Sequence, residues 1–182
     1  MERFQTKCVI NFGVGGSYPR SGLRPGDIAI ALKEIYGDEG VISSKGWGNL
    51  KKIGIPLVKS GNKEYFNEFP LDKRLAGNAV KSAELIARNA GHGVKIKSGS
   101  FVTVCAASRT SKRASELEKR FKAVCENMEG ASVAQVCTIY NIPMLEIRGI
   151  SNISGVRDKR KWNLKLASYI CQDVVLKLIS CI

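Results

Sequence analysis

The sequence is poor in the residues that build metal centres and disulfide frameworks. It has one histidine, His92 in "NAGHGV", and its six cysteines (Cys8, Cys105, Cys125, Cys137, Cys171, Cys181) never fall as Cys-x-x-Cys. A zinc site needs three or four such ligands at short spacings, so no metal is expected. Most of the cysteines lie in apolar runs, which suits reduced, packed thiols and a cytoplasmic location. No apolar run is long enough to span a bilayer. The opening "MERFQTKCVINF" places no secretory hydrophobic segment before its first strand-like run. Acidic residues are also few: 16 Asp and Glu against 29 Lys and Arg give a net charge of +13. Such a charge raises nucleic acid as a partner. The basic residues, however, are scattered through "KSGNK", "KIK", "RTSKR", "EKRFK" and "RDKRK", with no aromatic ladder and no nucleic-acid module among them. That is the pattern of a solvated basic surface.

What is present is an ordinary globular composition, with 44% hydrophobic and 25% charged residues over 182 positions. This length suits one domain, residues 1–182. Val- and Ile-rich runs alternate with segments at helical spacing, which predicts an α/β fold: a central twisted mixed sheet flanked by helices. Strands are expected at 8–12, 27–32, 100–105 and 144–150, with a further one at Ile53–Val58. Asp72 is a predicted cap for a helix carrying Leu75, Ala79, Ala83, Ile86 and Ala90 and stopping at Gly91. Ser111 is expected to cap a helix with Ala114, Leu117 and Phe121 on one face. A further helix should carry Val133, Val136, Cys137 and Tyr140. The segment from Trp162 to Ile182 predicts a closing helix with Trp162, Leu166, Ile170, Val174 and Leu178 inward.

Three stretches could hold chemistry. "NFGVGGSYP" (11–19) reads as a glycine-rich turn after a strand, where backbone amides can approach a ligand closely. It lacks the glycine spacing of a dinucleotide site and the Lys-Ser/Thr of a P-loop, and a plain tight turn would use the same glycines. "ENMEGAS" (126–132) puts Glu126 and Glu129 where a strand passes into a helix, so at least one carboxylate should meet the helix N-terminus. "RGISN" (148–152) lies at the carboxyl end of a strand, where open α/β sheets place ligands, although Arg148 could equally form an ion pair and Asn152 a turn.

Taken in order, "NFGVGGSYP", "PGDIAIA", "ENMEGASVAQVC" and "IPMLEIRGISN" resemble the purine nucleoside phosphorylase and nucleosidase superfamily. With "YGDEGV" (36–41) and "GVRDKRKW" they look most like its futalosine hydrolase branch, over nearly the whole chain. The resemblance implies a hydrolase of N-glycosidic bonds acting on a nucleoside, without cofactor or membrane, as a homo-oligomer. It implies that Glu129 accepts hydrogen bonds from the ribose hydroxyls while Met128 packs on the sugar. Gly16 would line the sugar and water side, and residues 106–110 would cover the base. The residue after Ser151 contacts the purine at N7 and position 6. Relatives that cleave adenine nucleosides carry Asp there, whereas this chain has Asn152, which fits a hypoxanthine leaving group. Arg148 and Arg157 are candidate partners for the substrate's benzoate carboxylate. Phosphorolysis of 6-oxopurine nucleosides, or purine binding without turnover, remain the alternatives.

One departure stands out. Superfamily members open with a strand and loop that bring in a water-activating acid, but here the chain begins almost at "NFGVGG", and Met1–Lys7 cannot supply those elements. An N-terminally truncated fold with exposed strand edges is the expectation.

Overall fold

The deepest segment is the run predicted as the last strand. The computed structural model describes residues 5–89, 93–156 and 158–181; Ala90, Gly91, His92 and Arg157 lie outside them. In chain order the strands and α-helices are β1 (Val9–Ser17), β2 (Ile28–Tyr36), β3 (Val41–Ser43), β4 (Gly46–Gly48), β5 (Val58–Ser60), β6 (Lys63–Tyr65), β7 (Glu68–Pro70), α1 (Lys73–Asn89), β8 (Ile96–Thr103), α2 (Ser111–Phe121), β9 (Ala123–Asn127), α3 (Gly130–Ile139), β10 (Met144–Ile153) and α4 (Leu164–Ile179). Every residue of β10 from Met144 to Ser151 is buried.

The main sheet runs β10-β1-β9-β8-β2-β7, and β10 also pairs with β2 through Ile147–Gly149, so the sheet curls back on itself. It is mixed: β1/β10, β2/β8 and β8/β9 are parallel, and β1/β9, β2/β10 and β2/β7 antiparallel. On β2, Ile28 and Ile30 join one core with Leu75, Ala79, Ile147 and Val174 from α1, β10 and α4. The alternate residues Ala29 and Ala31 join a second core with Phe69, Phe101 and Ala134. Burial on both faces explains why "IAIA" reads as a continuous apolar run. Helix α2 covers a third cluster with Ile35, Val102 and Leu117. Along Val9–Gly15, β1 has a ladder partner on one side only among the described residues, since β9 meets it at Gly16 and Ser17 alone. Phe12 there is 45% exposed.

Several boundaries depart from the sequence-based expectation. The glycine-rich stretch is not a turn but the end of β1, with a register shift between Gly15 and Gly16. Thr110, not Ser111, caps α2 by accepting from Arg113 N at 3.2 Å. Trp162 precedes α4, whose cap is Asn163. The buried face of α4 is Ala167, Ile170, Cys171, Val174, Val175 and Leu178, leaving Leu166 partly exposed. Helix α3 buries Gly130, Ala131, Ala134 and Cys137, while Val136 and Tyr140 face out. The strand expected at Ile53–Val58 is absent up to Leu57; a 3-10 turn at Leu50–Ile53 leads to the β5–β6 hairpin, which opens at Val58.

Helix α4 crosses β10 without an intervening side chain: a Cβ at Gly149 would be driven into the Ala167 carbonyl. Gly149→Ala is therefore expected to cost about 3 kcal/mol, lowering Tm by roughly 8 °C in a thermal melt.

Candidate functional site

The carboxyl ends of β1, β9 and β10 meet at a cleft of about 270 Å³, lined by Gly15, Gly16, Met128, Glu129, Arg148 and Asn152 among others. Its size is near the lower end of small-ligand pockets. The three stretches singled out in the sequence thus converge on one site. Gly16, Met128, Glu129, Arg148, Ser151 and Asn152 all line it; Arg157 lies outside the described residues.

The strand-to-helix unit explains how Glu129 is freed for the cleft. Asn127 Oδ1 accepts from the backbone N–H of Glu129 (3.0 Å) and of Gly130 (2.7 Å), and Thr103 Oγ1 accepts from Ala131 N (2.7 Å). These bonds satisfy the first N–H groups of α3. Glu129 makes no side-chain cap. Its carboxylate instead sits 3.0 Å from Arg148 Nη2, with 59% of the side chain exposed. Nη2 lies outside hydrogen-bond geometry there, so the two attract as charges.

Arg148 lines the cleft but is held from within. The residue is 5% exposed. Nε donates to Glu146 Oε1 at 2.9 Å and Nη1 to the Val14 carbonyl at 3.2 Å. Burial opposes its charge, but Glu146 foremost, with Glu129, more than offsets this and holds the guanidinium above its ordinary pKa. Glu146, two positions earlier, sits on the same side of β10 and holds the guanidinium inside.

On the opposite wall the Ser151 hydroxyl reaches Asn152 Oδ1 at 2.8 Å and the Gly15 carbonyl at 3.2 Å. Asn152 Nδ2 donates to Ile153 O at 3.2 Å, leaving its second N–H free. The shorter bond fixes the amide with its oxygen toward Ser151. A Cβ at Gly16 would meet Ser154 Oγ at 2.5 Å and Asn152 Nδ2 at 3.4 Å, so a larger residue there would press on this amide.

Sequence reasoning missed the supports. Glu126 accepts from Ser108 N (2.9 Å), Ser108 Oγ (2.6 Å) and Tyr18 Oη (3.3 Å), which pins the 105–110 loop beside the cleft. Asp38 holds the start of that loop through Cys105 N (2.7 Å). Ala107 and Ser108 of this segment line the cleft, where residues 106–110 were expected. Trp162 and Leu164 close its rim; Trp162 Nε1 donates to Val156 O at 3.0 Å. Glu126 was visible as a polar residue inside an apolar strand. Tyr18 and Trp162 gave no such signal.

Among the described residues no group of His, Cys, Asp and Glu could hold a metal ion, and no helix is long and apolar enough to cross a membrane.

Known proteins resemble the chain in sequence and in fold. A futalosine hydrolase from Thermus thermophilus is 33% identical over 93% of the chain and 68% of its own length. A 5′-methylthioadenosine/S-adenosylhomocysteine nucleosidase from Buchnera aphidicola is 29% identical over 92% and 61%. The chain thus spans about two thirds of the length of these relatives. Among solved structures, the futalosine hydrolase of Helicobacter pylori superposes with a TM-score of 0.72 at 21% identity, over 97% of this chain and 69% of that one. A 5′-methylthioadenosine/S-adenosylhomocysteine nucleosidase from Neisseria meningitidis, solved with methylthio-immucillin-A, gives 0.72 at 23%, over 97% and 70%. These two share the fold. The model of the phosphorylase superfamily matches residues 1–180. The chain belongs to the phosphorylase superfamily, as a relative of its nucleosidases.

Proposed function

We propose that this chain hydrolyses the N-glycosidic bond of futalosine and releases hypoxanthine, a step of the futalosine route to menaquinone. The observation that carries the reading is Asn152, a neutral amide on the cleft wall whose oxygen is turned to Ser151. A 6-oxopurine leaves most readily when N7 takes up a proton, its N7–H then bonding to an acceptor, and O6 receives a donor. An amide offers both, whereas a carboxylate only accepts and would repel O6. On the sugar side, Glu129 accepts from the ribose hydroxyls, and those bonds strengthen as positive charge develops on the ring. Met128, 52% exposed, supplies the apolar surface beneath it. Of the two cleft carboxylates, Glu126 is engaged at both oxygens by Ser108 and Tyr18. Homo-oligomerisation belongs to the same proposal, and sedimentation of the purified chain tests it.

A second reading, cleavage of 5′-methylthioadenosine, is supported by the relatives bearing that name and opposed by Asn152. The deciding experiment measures base release from futalosine, its 6-amino analogue, inosine and 5′-methylthioadenosine, each with and without phosphate. Hydrolysis of futalosine at a rate indifferent to phosphate is expected. Faster release of adenine would move the assignment to the second reading, and dependence on phosphate would make the chain a phosphorylase.

A further inference from the structure

Behind the cleft lie two carboxyl groups that this chemistry does not use. Glu34 on β2 and Glu146 on β10 are both fully buried, and their carboxyls converge on the space beside Gly130. A Cβ on Gly130 would strike Glu34 Oε1 and Glu146 Oε2 together, so the absence of a side chain there leaves room for the pair. Two carboxylates buried so close together cannot both stay charged. Their other partners say which one does. Glu146 Oε1 takes Arg148 Nε, the buried cation, whereas Glu146 Oε2 is enclosed with no N–H or hydroxyl donor from any described residue. Glu34 has only neutral partners besides Glu146: Asn127 Nδ2 on Oε1 (2.7 Å) and Thr103 Oγ1 on Oε2 (2.8 Å).

We propose that Glu34 is a positioning residue whose carboxyl keeps its proton and donates it to Glu146 Oε2, so that Glu146 remains a singly charged anchor aiming Arg148 at Glu129 and the cleft. One buried cation then faces one buried anion, and the stranded acceptor of Glu146 gains its donor. The surroundings agree. Thr103 from β8, Asn127 from β9, Asn11 from β1 and the N-terminal Gly130 of α3 adjoin the pair, and the titratable groups near it are Tyr36 from β2, Cys125 from β9, Arg148 from β10 and Cys171 from α4. The Cys125 thiol is pushed up by burial and stays neutral. Asn11, the register partner of Glu146, keeps its Nδ2 buried without any bond, so it does not supply the missing donor. Burial first, then Glu146, drives Glu34 well above the carboxylate range, against the hydrogen bonds from Thr103 and Asn127. Through Asn127 and Thr103 the same pair also touches the residues that cap α3 and place Glu129. Both members of the Arg148–Glu129 contact therefore trace back to one proton. Its service to catalysis rests on the nucleosidase reading; the proton itself does not.

The proton can be read directly. Infrared difference spectra of the unmodified protein with carboxyl-labelled glutamate should show a protonated carboxyl at neutral pH, and Glu34→Gln should remove it. In thermal unfolding the native state retains a proton that the unfolded chain releases near the ordinary value of 4.5. Stability linked to Glu34 is thus fully present below that pH and is lost as pH rises toward the raised native value. Glu34→Gln should gain on the unmodified protein with rising pH, with the slope of one proton. In turnover, Glu34→Leu removes the donor and should lower kcat about tenfold with little change in KM, while Glu34→Gln, which keeps an N–H for Glu146, recovers most of the loss. A missing carboxyl band, a stability difference that does not vary with pH, or Gln and Leu variants equally impaired would each overturn the proposal. The infrared measurement decides even if a variant does not fold, and it stands whether or not futalosine is cleaved.

Discussion

Glu129→Ala is expected to lower kcat for futalosine by about a thousandfold while the protein stays folded. The two halves of this expectation come from different observations. The helix end does not need Glu129, because Asn127 and Thr103 already hold the N–H groups of α3. Nor does Arg148 depend on it, since Glu146 and the Val14 carbonyl hold the guanidinium inside. A side chain more than half exposed, with no structural bond to lose, should change stability by no more than about 0.5 kcal/mol. In the proposed reaction its carboxylate holds the ribose hydroxyls as the sugar becomes cationic, and interactions realised in the transition state appear in kcat. Equal stability with a large loss of kcat would locate Glu129 at the reacting sugar. Unchanged kinetics would remove it from the reaction.

Asn152→Asp is expected to reverse the choice of base. The carboxylate would still accept from N7 but would lose the donor to O6, and it would set charge against the carbonyl oxygen of hypoxanthine. The ratio of kcat/KM for futalosine over its 6-amino analogue should fall by about a hundredfold or more, combining a lost donor with a new repulsion. The Ser151 hydroxyl, which already donates to the side-chain oxygen at 152, would serve an aspartate equally well. The substitution therefore tests recognition rather than folding. If the ratio did not move, position 152 would not read the 6-substituent.

The helices and the main strands were legible because their apolar residues repeat at regular spacing and their ends carry caps. Asp72 illustrates this, its Oδ1 accepting from Leu75 N at 2.8 Å at the start of α1. Segments whose structure comes from distant contacts were not. The stretch Gly13–Ser17 looked like a turn because its glycines suggest one, yet each pairs with β10 on either side of the register shift, and a Cβ at Gly15 would meet Cys125 Sγ at 2.6 Å. Those glycines serve close strand packing. Trp162 fits the apolar period of α4, but its indole N–H is taken by Val156 O and Asn163 caps the helix after it.

At the site, the residues that face the cleft were readable from "ENMEG" and "RGISN", because polar groups at the ends of buried strands have few structural uses. Their partners were not. Nothing local to "MLEIRG" says that Glu146 will capture Arg148, or that Glu34, distant in sequence on β2, will lie against Glu146. That assignment depends on the curling of the sheet that brings β2 beside β10. An acid inside an apolar strand is the one sequence signal common to Glu34, Glu126 and Glu146, and all three are buried here.

Whether this cleft is a 6-oxopurine site read by Asn152 can be tested without relying on turnover. Calorimetric titration of the unmodified chain with hypoxanthine and with adenine compares the two bases on the same pocket. Tighter binding of hypoxanthine, by about tenfold or more, is the predicted result, since one lost donor and one mismatched polar contact separate the pair. Tighter binding of adenine would contradict the account.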